Sequence, residues 1–164
     1  MKIYCDGSRV GKSDEYFIGW AAVCNMGVVS FGSKVGGSNI NAEMFAIHDC
    51  LKNITTYRSV WMKQWAESGE VLEIVTDSLT SLQIINGFLK APQEYDLDES
   101  LNYQIAERIV KMLDKLQQNG IEWELKHVRG HGRDPNMSQE DQIGNAFADH
   151  VATTQAENLK SANK

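Results

Sequence analysis

A mixed α/β domain, with helices packed against one central sheet, is the fold class this sequence predicts. Three observations point to it. Short apolar runs of strand character alternate with longer stretches whose apolar residues recur every three or four positions. The second and third strand-like runs are joined by a short, turn-like link, which suggests a hairpin and so an antiparallel start to the sheet. A length of 164 residues with 42% hydrophobic content supports one sizeable core and is short for two. A single domain over 1–164 is therefore expected, frayed after about residue 160.

The first strand is read from Lys2 to Cys5, broken by Asp6-Gly7-Ser8. A second runs from about Tyr16 to Cys24 through Ile18, Trp20, Ala22 and Val23, and a third covers roughly Gly27 to Val35. Asn25-Met26-Gly27 between them is short and turn-like, which suggests a hairpin, and Gly36-Gly37-Ser38 ends the meander. From Asn41 the period changes: Ile47, Cys50, Leu51 and Ile54 recur at helical spacing, in a pattern that extends toward Trp65 and stops at Gly69. Val71 to Thr76 is a compact fourth strand. After Asp77-Ser78 a helix passes through Leu79, Leu82, Ile85 and Leu89 to about Lys90, where Pro92 stops it. The next helix, from about Ser100 to Asn119, carries Ile105, Ile109, Met112, Leu113 and Leu116 on one face and ends at Gly120. Ile121 to Val128 is the fifth strand. Arg129 to Ser138, with two glycines and a proline, is a loop, and Gln139 to about Leu159 is the last helix. The order is βββαβααβα, a five-stranded mixed sheet with helices on both faces, without repeats, low-complexity tracts or linkers.

Composition narrows the function. No apolar run approaches the ~20 residues of a membrane helix, and Met1-Lys2-Ile3-Tyr4-Cys5 leads into a charged turn rather than a signal-peptide core. A cytoplasmic protein with no membrane partner is expected, working as a monomer. Cys5, Cys24 and Cys50 are odd in number, scattered and set in apolar stretches, so they read as core residues in a reducing compartment. They do not pair with His48, His127, His131 or His150 at zinc-site spacings. The net charge of -6 argues against a broad basic surface for nucleic acid, unless several acids are metal ligands whose cations offset their charge. Gly7 to Ser13 looks like a phosphate-binding loop, but it has three residues between its glycines where four are needed, and a strand follows instead of a helix. No nucleotide triphosphate is expected as a partner.

Several residues are candidates for chemistry, each with an ordinary explanation beside it. Asp6 and Asp77 follow the first and fourth strands, at the carboxyl ends where α/β sheets bind ligands. An Asp before Gly also forms turns, and an Asp before Ser also caps helices. Glu43 falls in the first turn of the first helix, where the macrodipole alone favours a carboxylate. In the last helix Ile143, Phe147 and Val151 form the expected buried stripe, with Asn145 and Asp149 on a different face. Gly144, Ala146, Ala148 and Ala152 surround that face, and such small residues let a helix approach other backbone closely. His131, between two glycines in a polar loop, can exchange protons near neutrality.

Taken in order, these segments resemble the type 1 ribonuclease H family across nearly the whole chain. The resemblance rests on Asp6-Gly7-Ser8, on Asn41-Ala42-Glu43 with Ala46, and on Thr76-Asp77-Ser78. It also rests on Val128-Arg129-Gly130-His131 and on Gly144-Asn145-Ala146-Phe147-Ala148-Asp149. It implies a ribonuclease H-like fold in which Asp6, Glu43, Asp77 and Asp149 hold two Mg²⁺ ions, with Mn²⁺ as a substitute, and His131 assists proton transfer or product release. The implied reaction is hydrolysis of the RNA strand of an RNA/DNA hybrid, leaving 5′-phosphate ends. Four gathered carboxylates need such cations, since two at ~4 Å repel by roughly 4 kcal/mol at an effective dielectric near 20. Gly7, Ser8, Asn39, Ser78 and Asn145 are the residues placed to read the substrate, each equally explicable as a cap or turn residue.

Two departures from the family pattern concern substrate grip. Leu79 stands where the family often has a glutamine, and Ala91 to Glu99 is acidic where many bacterial members insert a basic protrusion. Arg58, Lys63, Trp61 and Trp65 offer a substitute that combines positive charge with aromatic faces, although helical packing explains the two tryptophans as well. Two alternatives stand beside the hybrid nuclease. One is a nuclease of the same fold acting on DNA, such as a resolvase or a 3′-exonuclease. The other is a binding module without catalysis.

Overall fold

A computed structural model describes residues 1–57, 59–90, 101–130 and 135–163 of the protein. Strands β1 (Lys2–Lys12), β2 (Glu15–Cys24) and β3 (Gly27–Val35) form an antiparallel meander. Strand β4 (Leu72–Thr76) pairs with β1 in parallel, and β5 (Trp123–His127) pairs with β4 in parallel. The strand order is β3-β2-β1-β4-β5. The β2–β3 link is a tight turn because Gly27 adopts a φ of 123°, a conformation open to glycine at little cost.

β1 is longer than the sequence suggests. Asp6-Gly7-Ser8 does not end it: Asp6 pairs with Ala21, Gly7 with Trp20 and Ser8 with Gly19, and the ladder runs on to Lys12 opposite Glu15. A complete partner strand outweighs the local turn preference of these three residues. The parallel pairing of β1 with β4 does stop, at Cys5 opposite Thr76. Asp6 and Asp77 are therefore the next residues beyond the last rung of that pair.

Among the described residues, four helices cover one face: α1 (Asn39–Tyr57), α2 (Ser59–Ser68), α3 (Leu79–Lys90) and α4 (Leu101–Gln118). Helix α5 (Gln139–Ala162) covers the other, running beyond the expected limit near residue 160. The first helix of the sequence reading is described as α1 and α2, on either side of residue 58, which lies outside the described residues. Alternation along the strands divides the interior between the two faces. Ile3 and Cys5 of β1, with Ile18, Trp20 and Ala22 of β2, join the main core with Met44, Ile47, Leu51, Ile85, Ile105 and Ile109. Tyr4, Val23 and Val75 turn the other way, to Ala148 of α5 and to Val128 and Met137. Trp65 is buried and Trp61 half-buried against the main core, their rings 5.9 Å apart, so these two aromatics serve packing. Arg58 and the acidic stretch from Ala91 to Glu99 lie outside the described residues.

Helix α5 corrects the expected stripe. Its buried residues are Asp141, Asn145, Ala148, Ala152 and Ala156, whereas Ile143 is 62% exposed and Phe147 37%. The cause is proximity. A Cβ on Gly19 of β2 would lie 2.3 Å from the carbonyl oxygen of Ala152, and one on Gly144 would lie 2.3 Å from the Tyr4 ring. Backbones that close leave no room for Ile or Phe, so the small-residue face turns inward. Asp141 pins the start of this helix, accepting hydrogen bonds from Tyr4 Oη at 2.8 Å, Lys2 Nζ at 3.2 Å and Lys126 Nζ at 3.0 Å.

Candidate active site

The parallel neighbours β1 and β4 deliver Asp6 and Asp77 side by side, and α1 brings Glu43 to them. The approach of α1 depends on Gly7. A Cβ there would lie 2.5 Å from both the Ala42 carbonyl carbon and the Glu43 nitrogen, so a side chain would push the helix off the strand. The Gly7 N–H instead donates to Asp6 Oδ1 at 2.9 Å and to Glu43 Oε2 at 3.1 Å. Asp6, Glu43 and Asp77 each place a carboxylate oxygen so that all three lie within 4.8 Å of one another. Asp149, half-buried on α5, stands outside that trio, but its charge helps to raise the Asp6 carboxyl.

The ordinary explanations of these carboxylates fall away. Asp6 lies within a strand and not at a turn. Glu43 is the fifth residue of α1, which has no acidic residue in its first turn, so the macrodipole does not account for it. The cap of α3 is Ser78, whose Oγ accepts the Ser81 N–H at 3.2 Å, so Asp77 is not needed there. Gly130, the last described residue before the His131 loop, backs the Asp77 side chain: a Cβ on it would lie 2.6 Å from Asp77 Oδ2. His127 Nε2 donates to the Asp77 carbonyl oxygen at 3.2 Å. His131 itself lies outside the described residues.

Burial, then the neighbouring Asp77 charge, pushes the Asp6 carboxyl up to about 8. Burial, then the charges of Asp6 and Asp77, also holds Glu43 well above the usual carboxylate range. Carboxyls gathered in this way keep protons at neutral pH unless a cation replaces them. A donor set made only of carboxylate oxygens suits hard divalent cations. The residues therefore fit a divalent metal ion, with Asp6, Glu43 and Asp77 as its holders.

The residues proposed to read substrate are more dispersed in role. The Gly7 amide is engaged with Asp6 and Glu43. Ser8 Oγ accepts from Thr153 Oγ1 at 3.1 Å, and Ser78 caps α3. Asn145 is only 5% exposed, turned toward the sheet, while Asn39 is exposed at the start of α1. Sequence reasoning missed a set of positioning contacts. Ser38 and Asn41 bond reciprocally, Asn41 N–H to Ser38 Oγ at 3.0 Å and Ser38 N–H to Asn41 Oδ1 at 2.9 Å, which fixes where α1 begins. Asn41 Nδ2 also donates to Asn102 Oδ1 at 2.7 Å, tying that end of α1 to α4. The Ser-x-x-Asn spacing signals the cap; nothing local signals the tie to Asn102.

A cluster of carboxylates over the central parallel pair of a five-stranded mixed sheet defines a class, the metal-dependent α/β hydrolases with oxygen-only ligands. The chain belongs to the ribonuclease H family, whose model, RNase H, matches residues 1–157. Ribonuclease H1 of the halophilic archaeon Halobacterium salinarum NRC-1 is 19% identical, with a TM-score of 0.51 over 96% of this chain and 97% of that one. The RNase H domain of PFV, the prototype foamy virus, is 19% identical with a TM-score of 0.58, over 95% and 93% of the two chains. LC11-RNase H1, solved in complex with an RNA/DNA hybrid, is 17% identical with a TM-score of 0.54, over 96% and 97%. At these identities the structural likeness concerns the fold. A comparison with curated proteins gives no match.

Proposed function

We propose that the protein is an endoribonuclease that hydrolyses the RNA strand of RNA/DNA hybrids, with Asp6, Glu43, Asp77 and Asp149 as the residues that hold two Mg²⁺ ions, or Mn²⁺ in their place. The observation that carries this reading is the gathering of Asp6, Glu43 and Asp77 oxygens within 4.8 Å, with Asp149 acting on Asp6. Family membership supports the same chemistry, and the hybrid found with LC11-RNase H1 supports the same substrate.

The chain's own residues divide the work. Asp6 presents its carboxylate from within β1 and Asp77 from just beyond the end of β4, the Gly7 N–H orients Glu43 toward them, and Gly130 supports Asp77 from behind. Divalent cations, when bound, supply the positive charge that lets these carboxyls ionise together and that the phosphodiester needs as charge builds on it. A water attacks the phosphorus in line; the new P–O bond forms as the bond to the 3′-oxygen breaks. The proton passes to the leaving oxygen, giving a 5′-phosphate and a 3′-hydroxyl. His131, next to Gly130 in sequence, is the residue proposed to help move that proton or release product. Asn39, exposed one helical turn before Glu43 on α1, is the first candidate for reading the 2′-hydroxyl. We read the protein further as a cytoplasmic monomer, a setting that the three free, buried cysteines support.

The test compares a labelled hybrid, duplex DNA and single-stranded RNA in Mg²⁺ and in Mn²⁺. Cleavage confined to the RNA of the hybrid is the expected result. Cleavage of duplex DNA instead would favour a DNA nuclease of the same fold, and a hybrid that is bound well but left intact in both metals would remove the catalytic reading.

A further inference from the structure

A depression of about 400 Å³ opens between the end of β5 and the start of α5. Lys2, Lys126, His127, Arg129, Ser138 and Asp141 are among the residues that line it. Its wall runs into the candidate active site. His127, the last residue of β5, donates from Nε2 to the Asp77 carbonyl oxygen at 3.2 Å. Arg129 is followed directly by Gly130, which backs the Asp77 side chain. An anion seated in the depression is therefore a near neighbour of the carboxylate cluster.

The balance of charge decides what the depression can hold. Lys2, Lys126 and Arg129 stand against one carboxylate among the lining residues, that of Asp141. Asp141 is 3% exposed, and its oxygens accept from Tyr4, Lys2 and Lys126, so it aims two ammonium groups while neutralising one charge. Glu140 also reaches Lys2, at 3.7 Å, but its side chain is 67% exposed, where water and salt screen the pair. Among the described residues no carboxylate lies within ion-pair distance of Arg129. The balance stays positive even with Glu140 counted, on a chain whose net charge is -6. Cations already held in place lose little freedom when an anion arrives. The anion that the proposed reaction itself brings to this wall is a phosphodiester.

We infer that this depression holds one backbone phosphate of the hybrid beside the phosphate being cleaved, with the Arg129 guanidinium as its main contact and the Lys126 ammonium as the second. The inference rests on the reading of the protein as a hybrid nuclease and says where part of its grip lies. Ala91 to Glu99, acidic in sequence, does not offer such a contact.

The test removes one charge from the protein and one from the nucleic acid, using the full chain. Arg129 is exposed, so Arg129→Gln should leave the melting temperature unchanged, whereas Lys126 also anchors Asp141 and its loss would disturb the fold as well. With the hybrid as substrate, Arg129→Gln should raise KM about fivefold or more and keep kcat within about twofold. On the Asp77→Asn background, anisotropy should show the slope of log K against log salt becoming shallower by about 0.9. Arg129→Lys, which keeps the charge, should restore that slope. Placing one uncharged methylphosphonate at a time along the RNA strand or the DNA strand then identifies the phosphate. One position in one strand should weaken binding to the protein with Arg129 and leave binding to Arg129→Gln unaltered. An unchanged KM and salt slope in Arg129→Gln, a loss confined to kcat, or a methylphosphonate profile identical in the two proteins would overturn the proposal. A protein that cuts duplex DNA and spares the hybrid fails the functional reading alone: the same scan on that duplex still tests the depression, with the same two outcomes.

Discussion

Asp6 is 3% exposed and, with no cation near, its carboxyl is pushed up to about 8 by burial and the Asp77 charge. At neutral pH it then carries a proton that a divalent cation has to displace. Mg²⁺ affinity is accordingly expected to rise between about pH 6 and about pH 8 and to level off above, as read by calorimetric titration; an affinity indifferent to pH across that window would contradict this. Asp77→Asn should abolish hybrid cleavage almost completely. The same change removes a charge that repels Asp6 and Glu43, so the metal-free melting temperature should rise while the shift produced by Mg²⁺ shrinks. A uniform loss of stability would instead mark Asp77 as a structural residue. Asp141 is the opposite case. Burial alone would push its carboxyl up, but hydrogen bonds from Tyr4, Lys126 and Lys2 outweigh this and hold it at about 2. A folded value below the unfolded one contributes stability above about pH 4 that is lost as pH falls through about 2. Asp141→Asn is expected to cost about 2 kcal/mol at neutral pH, and the difference from the unaltered protein should close toward pH ~2 in urea titrations.

Between elements, two close approaches decide the architecture, and each has a separable consequence. Gly7 lets α1 lie on β1, and Gly19 lets α5 lie on β2, with a Cβ at either position falling within 2.5 Å of helix backbone. Gly7→Ala and Gly19→Ala should each destabilise by about 1–3 kcal/mol. Only Gly7→Ala should also displace Glu43, so its Mg²⁺-induced stabilisation and its cleavage rate should fall well below those of Gly19→Ala at matched stability. Equal losses in the two variants would remove the positioning role given to Gly7. The helices were legible in the sequence wherever large apolar residues kept the helical period, as in α4 with Ile105, Ile109 and Leu113 buried. The inward face of α5 was not, because alanines and a glycine carry little hydrophobic signal beside Ile143 and Phe147. What turned them inward was the room available against β1 and β2.

For the molecule as a whole, the charge of -6 limits how it can hold a polyanion. Each phosphate neutralised by a basic side chain steepens the dependence of log K on log salt by about 0.9. A shallow slope, no steeper than about -4, is expected for hybrid binding by the Asp77→Asn variant, measured by fluorescence anisotropy; a much steeper one would overturn the inference drawn from the net charge. The order of strands and helices follows from sequence alone, because the apolar period is a local property that each segment carries by itself. The chemical identity of the candidate ligands, Asp6, Glu43, Asp77 and Asp149, and their sequence along the chain were equally open to reading. Tertiary structure alone decided that β1 continues through Asp6 and that Ser78, not Asp77, caps α3. It also decided that three carboxylates stand within 4.8 Å while Ile143 and Phe147 face outward. Apart from the Ser78 cap, which is local, each of these depends on how closely segments distant in sequence approach, a distance set in part by glycines and alanines on facing surfaces and invisible to the periodicity of either segment.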